Sequence, residues 1–247
     1  MTSPDSILAQ TSHRPWPLPT APWVMVQSWQ RQLFAHWVVP ATTLRALVPA
    51  PLELDVYHGQ TYVGVTPFDL RGLRFRFLPP FPVGSNFLEV NVRTYVRYGG
   101  KPGVFFLSLD AASQLAVLGA RLTFGLPYHL AEMRATRRGE WIEYGTRRTR
   151  GDAELSVRYR PTGDAFTAEP GSRDHFLIER YALFVVHADG RVMRGDIHHT
   201  PWRLHPAEAE LERNTLAAAS GIVLPDAAPI LHYSERQDSL LWAPTRG

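Results

Sequence analysis

The chain has 247 residues, 45% hydrophobic and 20% charged, enough to bury a sizeable core as a soluble globular protein. With no cysteine it excludes disulfides, thiolate metal sites and cysteine nucleophiles. Its 26 basic and 23 acidic residues leave a formal charge of +3, too small to call for nucleic acid. No apolar run approaches the roughly 18 residues of a membrane span.

Residues 1–22 are polar, with Pro15, Pro17, Pro19 and Pro22 breaking any regular hydrogen bonding. They read as a loosely attached arm anchored by Trp16, without the apolar core of a signal peptide, so a cytoplasmic location is the default. One domain is expected over 23–247. Residues 23–39 are strand-like. A short helix follows over 40–48, with Leu44 and Leu47 as its buried pair and Pro49 and Pro51 closing it. Residues 61–70 and 73–77 are strands, and LPPFPVGSN at 78–86 is a loop. FLEVNVRTYVRY at 87–98 is the clearest strand. Its alternation puts Leu88, Val90 and Val92 on one face and Glu89, Asn91 and Arg93 on the other.

Lys101, the only lysine, lies in the Gly-rich turn that follows. An apolar strand at 104–109 ends at Asp110. Small and apolar residues at 111–124, among them Ala112, Ala116, Ala120 and Leu122, recur at helical spacing. Gly125 and Pro127 stop that helix and display Tyr128 and His129 at the end of a rigid element. Hairpins are expected over 134–160, a region with eight arginines and four acidic residues. That excess fits either a polyanion-binding ribbon or a solvated sheet face with Arg–Glu pairs to Glu140, Glu143 and Glu154. Residues 176–187 and 191–199 are strands about an Asp189-Gly190 turn. Residues 206–220, rich in Ala, Glu and Leu and followed by Gly221, read as a helix. The chain closes on two short strands. Strand signals dominate, so the fold is expected to be mainly β, antiparallel, with about three short helices.

Two stretches resemble the acetoacetate decarboxylase superfamily, and more closely its YqjF-like family of uncharacterised bacterial proteins. One is the turn carrying Ala120, Arg121, Phe124, Gly125, Pro127, Tyr128 and His129; the other is RQLFAHWVVPATTLRALVPAPLELD, beginning at Arg31. The resemblance implies a cone-like β-barrel around a small pocket, and homo-oligomers. It puts Tyr128 at the position of the decarboxylase's Schiff-base lysine and His129 at that of the neighbouring lysine. It puts Arg31 at the position of the active-site arginine, and Glu89 at that of a glutamate lining the pocket.

A phenol cannot form an imine, and the solvated Lys101 is no substitute, so decarboxylation through a Schiff base is rejected. What remains is a pocket binding a small carboxylate or carbonyl compound. Arg31 and His129 would bind the substrate, and Glu89 and Tyr128 would act as base and hydroxyl donor in lyase, hydratase or isomerase chemistry without a cofactor. Whether the chain is an enzyme is left open. Arg31 and Glu89 can equally neutralise each other, and the barrel can be a non-catalytic binder, or a structural one plugged by Phe68, Tyr95, Phe124 and Tyr128. A metal is not expected, because His198 and His199 are adjacent on a strand and point to opposite faces, leaving Asp196 and His198 without a third ligand. The expected partner is a small molecule, with neither nucleic acid nor membrane.

Overall fold

β-Branched and aromatic residues at alternating positions build most of this chain into strands. The computed structural model describes residues 1–247 apart from Phe81 and Val83 and the side chains of Ala120, Leu122 and Thr123. The positions Phe81 and Val83 of the expected loop, and the side chains of Ala120 and Leu122 in the expected helix, therefore lie outside the described residues. In chain order the elements are α1 (Pro4–Leu8), β1 (Met25–Val39), α2 (Ala41–Leu47), β2 (Glu53–Leu54), β3 (Thr61–Phe75), β4 (Phe87–Tyr98) and β5 (Lys101–Ala111). Then come α3 (Gln114–Phe124), β6 (Tyr128–Arg138), β7 (Trp141–Arg148), β8 (Glu154–Pro161), α4 (Arg173–Ile178) and β9 (Ala182–Val186). The chain ends with β10 (Val192–His198), β11 (His205–Asn214), α5 (Leu216–Ala219), β12 (Ile230–Leu241) and β13 (Thr245–Arg246).

The pairings of β1, β3, β4, β5, β9, β10 and β12 run in a closed cycle, because β12 pairs with both β1 and β10. All seven strands give side chains to one cluster, including Phe34, Tyr62, Tyr95, Leu109, Val185, Ile197 and Leu241. We call the face they share the inner face. The opposite faces of β1, β3 and β4 carry Leu33, Ala35, Val63, Val65, Val90 and Val92, which pack on Ile142, Tyr144, Val157 and Tyr159 of the β6–β7–β8–β11 layer. Alternation along β1 and β4 thus supplies two cores at once.

Most pairings are antiparallel, as expected, but β5 runs parallel to β6 and to β9. A parallel pair needs a crossover, and α3 provides the one between β5 and β6. Ser113 caps α3 by accepting from the Ala116 amide at 3.2 Å, and Gly125 ends it in the left-handed conformation at φ 65.

Several expectations need correction. The helix expected over 206–220 is a strand for most of its length, leaving only the four residues of α5 helical. Its Ala-Glu-Ala-Glu-Leu-Glu run alternates, and Glu208 and Glu210 pair with Arg160 and Arg158 on β8, so cross-strand partners override helix propensity. The strand expected over 176–187 begins as helix α4, capped by the Ser172 hydroxyl, and only its second half is strand. The described residues form five short helices rather than about three, and the chain's end is one long strand followed by a very short one.

The N-terminal arm is docked rather than loose. Ile7 is 1% exposed in a cluster with Trp23, Val26 and Trp242, and Arg14 donates to the Ile197 carbonyl at 2.6 Å. Trp16 serves as the expected anchor, its indole donating to Asp196 at 3.2 Å. In the Arg-rich layer Arg138 pairs with Glu143, Arg160 with Glu140 and Arg213 with Glu154, the solvated Arg–Glu face of the second reading. No helix among the described residues is long and apolar enough to cross a membrane.

Candidate functional site

Glu89 sits on the inner face of β4, in register with Phe68 on β3 and Ala111 on β5, and is buried. A carboxylate there has lost its water, so burial is the chief reason that its pKa rises from the ordinary 4.5 to about 8; Asp110 adds to the rise, and a hydrogen bond opposes it. That bond comes from Tyr128, whose hydroxyl donates to Glu89 Oε2 at 3.0 Å. Burial, then the Glu89 charge, in turn hold the Tyr128 phenol well above its usual value. At neutral pH both groups keep their protons.

Tyr128 reaches Glu89 because the parallel β5–β6 register sets Tyr128 opposite Leu109, two residues before Ala111. The Gly125–Pro127 stop delivers it, and Arg121 at the end of α3 fastens the turn by donating from two nitrogens to the Tyr128 carbonyl. Around the pair lie Phe68, Leu70, Phe87 and Val117. Trp29 stands edge-on to Phe68 at 6.5 Å and stacks on Trp202 at 5.7 Å. Further along β4 the face stays polar, with Asn91 accepting from Thr66 at 2.6 Å and then Arg93.

A buried carboxyl beside a half-buried phenol, on a fold of this topology, invites comparison with known proteins. The sequence matches the profile of DUF2071, described as an uncharacterized conserved protein, over residues 26–238. The chain belongs to the DUF2071 family. It is 48% identical to "Uncharacterized protein YqjF" of Bacillus subtilis (strain 168) over 226 residues, which is 91% of this chain and 93% of the relative. Acetoacetate decarboxylase from Legionella pneumophila superposes with a TM-score of 0.62 at 17% identity, covering 96% of this chain and 93% of that one. The enduracididine biosynthesis enzyme MppR complexed with pyruvate superposes with a TM-score of 0.61 at 9% identity, covering 96% and 94%. The fold of this DUF2071 chain is therefore acetoacetate decarboxylase-like, in line with the resemblance in its sequence.

Within the DUF2071 chain the structure brings together two of the four residues singled out by sequence. Arg31 is not with Glu89. It stands at an irregularity of β1, where the register to β3 shifts between Gln30 and Ala35 and its own φ is 50. Its guanidinium is bound at 2.5 Å to Asp69, next to Phe68 and so on the other face of β3, and Tyr159 donates to its carbonyl at 2.7 Å. The alternative in which Arg31 and Glu89 neutralise each other is therefore not found, because Arg31 pairs with Asp69. His129 follows Tyr128 along β6 and points away from Glu89, into a depression of about 280 Å³ lined also by Arg121, Thr149 and Arg150. Burial and then Arg148 lower its pKa.

Sequence reasoning missed Asp110 and Arg148 as a pair, and His36. The two were legible only as an Asp at a strand end and one arginine among many. The His198 and Asp196 side chains are already engaged, His198 at 2.9 Å from the Ile7 carbonyl and Asp196 with Arg194 at 2.9 Å. No three metal-ligating side chains converge among the described residues.

Proposed function

We propose that the inner face is a pocket for a small carboxylate or carbonyl compound, enclosed by a cone-like barrel, in which Glu89 and Tyr128 move a proton without an imine. The observation that carries this reading is the 3.0 Å hydrogen bond between a half-buried phenol and a buried carboxyl whose pKa stands near 8. A carboxyl poised there exchanges its proton near physiological pH, as a general acid–base must. In its ionised form Glu89 takes a proton from the carbon beside a carbonyl; Tyr128, released from Glu89, donates to the carbonyl oxygen as negative charge develops. Lyase, hydratase and isomerase reactions share that step. The Schiff-base route is left out because Tyr128 stands where an amine would be needed, and Lys101 pairs with Tyr98 at the far end of the β4–β5 hairpin. A neighbour of the same fold complexed with pyruvate makes a 2-oxo acid the natural first probe.

The test is deuterium exchange into the methyl group of pyruvate in D2O, followed by proton NMR with the purified chain. Exchange above buffer that falls at least about 100-fold in both Glu89→Gln and Tyr128→Phe supports the reading. Exchange no faster than buffer, or unchanged in both variants, overturns the pair's role for this substrate class.

A second reading, a non-catalytic binder or a structural barrel, is favoured by one observation. Phe68 and Tyr95 are buried on the inner face, and Phe124 and Tyr128 pack against the same clusters, as an aromatic filling would. Pyruvate binding without exchange would select it.

A further inference from the structure

The inner face also carries a buried positive charge that the Glu89–Tyr128 pair does not use. Arg93 follows Glu89 and Asn91 on the same face of β4 and is 9% exposed. Its Nη2 reaches the Leu177 carbonyl at 3.4 Å, and its Nε is buried with no acceptor among the described residues. None of the ion pairs formed by the described residues includes it, although the neighbouring cations Arg97 and Arg180 both hold Asp55, at 2.6 and 2.5 Å. The guanidinium instead lies over Phe34 at 5.4 Å and Tyr95 at 5.8 Å. Arg180 lies over the same Tyr95 ring at 4.7 Å, and its Nη2 is likewise buried without an acceptor.

Two further features shape the place. His36 Nε2 is 2.7 Å from the Tyr95 hydroxyl, which itself donates to the Leu177 carbonyl at 2.8 Å, so the imidazole is the donor in a chain ending on the backbone. Trp202 packs edge-on against Phe34 at 5.0 Å, and its indole N–H is another buried donor with no acceptor among the described residues. Gly64 lets these groups meet: a Cβ there would stand 2.9 Å from His36 Cδ2 and 3.5 Å from Arg93 Cγ. A buried guanidinium keeps its charge, and aromatic faces offset only part of the lost hydration, so the arrangement calls for an anion.

We propose that Arg93, assisted by Arg180 and the Trp202 indole, is a carboxylate-binding site on the inner face. The planar fork of Arg93 suits a carboxylate, and the Phe34, Tyr95 and Trp202 rings suit the carbon skeleton of an organic acid better than a hydrated inorganic ion. Four residues of strand set Arg93 about 13 Å from Glu89 along the backbone. The ligand class rests on the function proposed above; the location does not.

The test measures the thermal midpoint of the full chain in sodium pyruvate and in sodium acetate, each against sodium chloride at equal ionic strength. It uses the wild type, Arg93→Met, Arg93→Lys and Glu89→Gln. Pyruvate or acetate at about a hundredfold excess over Kd is expected to raise the wild-type midpoint by roughly 5–10 °C over chloride. Glu89→Gln keeps that rise, Arg93→Met loses it, and Arg93→Lys, which retains the charge but not the fork, needs at least about tenfold more acid to reach it. No rise over chloride in the wild type overturns the site, as does an equal rise in Arg93→Lys or Arg93→Met. If Arg93→Met does not fold, the lysine variant alone decides. A rise in the wild type that depends on Arg93, alongside wild-type deuterium exchange no faster than buffer, would retire the proton-transfer reading and leave the carboxylate site standing.

Discussion

Arg148 grips the Asp110 carboxylate with two nitrogens, Nε at 3.0 and 2.9 Å from the two oxygens and Nη2 at 2.9 Å from the first, with both side chains buried. The pair ties the end of β5 to the end of β7 beside the start of β6, where Asp110 is in register with His129. Removing one partner would strand a buried charge. Arg148→Met is therefore expected to destabilise the fold by about 3–5 kcal/mol in urea denaturation, and the double variant Arg148→Met/Asp110→Asn by clearly less. Equal losses in the two would show that Asp110 is not the arginine's partner.

Glu89 gives the protein a pH dependence of definite sign. Its folded pKa, about 8, is raised above the ordinary 4.5, so the folded state holds a proton that the unfolded state releases between those values. This contribution to stability is complete below about pH 4.5, shrinks as pH rises, and is gone above about pH 8. The slope is at most about 1.4 kcal/mol per pH unit. Glu89→Gln cannot titrate and still accepts from Tyr128, so it should match the wild type near pH 4.5 and exceed it at pH 9. Parallel stability curves for the two proteins would sink the assignment. Any activity in which Glu89 acts as base should rise toward pH 8.

The arm is part of the fold through Ile7, at 1% exposure against Trp23, Val26 and Trp242. Ile7→Ala removes three buried carbons, and a loss of about 2–5 kcal/mol is expected in chemical denaturation. A loss below about 0.5 kcal/mol would mean that the arm is dispensable.

Gly64→Ala tests the crowding beside Arg93. Its backbone angles are ordinary, so the cost comes from the new Cβ at 2.9 Å from the buried His36 ring. Overpacking of this kind costs about 1–3 kcal/mol, and a shifted His36 ring resonance in NMR would locate it.

Local patterning made much of this architecture readable in advance. β4 spans the residues expected of it, because twelve alternating residues between turn-formers allow no other reading. The Ser113 cap and the Gly125 stop bracket α3 for equally local reasons. The stretch at 206–220 misled because Ala, Glu and Leu favour helix in isolation, while its partners on β8 lie about fifty residues away in sequence. Arg31 misled for a different reason. The resemblance set it at the decarboxylase's active-site arginine, yet the irregularity in β1 and the claim of Asp69 turn it to the other face of the sheet.

By itself the sequence determined the family, the predominance of strands, the absence of an amine at position 128 and the polar stripe of Glu89, Asn91 and Arg93 along one edge of alternation. A period of two residues says which side chains travel together, and nothing more. Which face becomes enclosed, and what stands across from it, depends on pairings between distant strands. Only the tertiary structure decided that Tyr128 meets Glu89 while His129 turns outward, that Asp69 holds Arg31, and that Arg93 is buried outside every ion pair formed by the described residues.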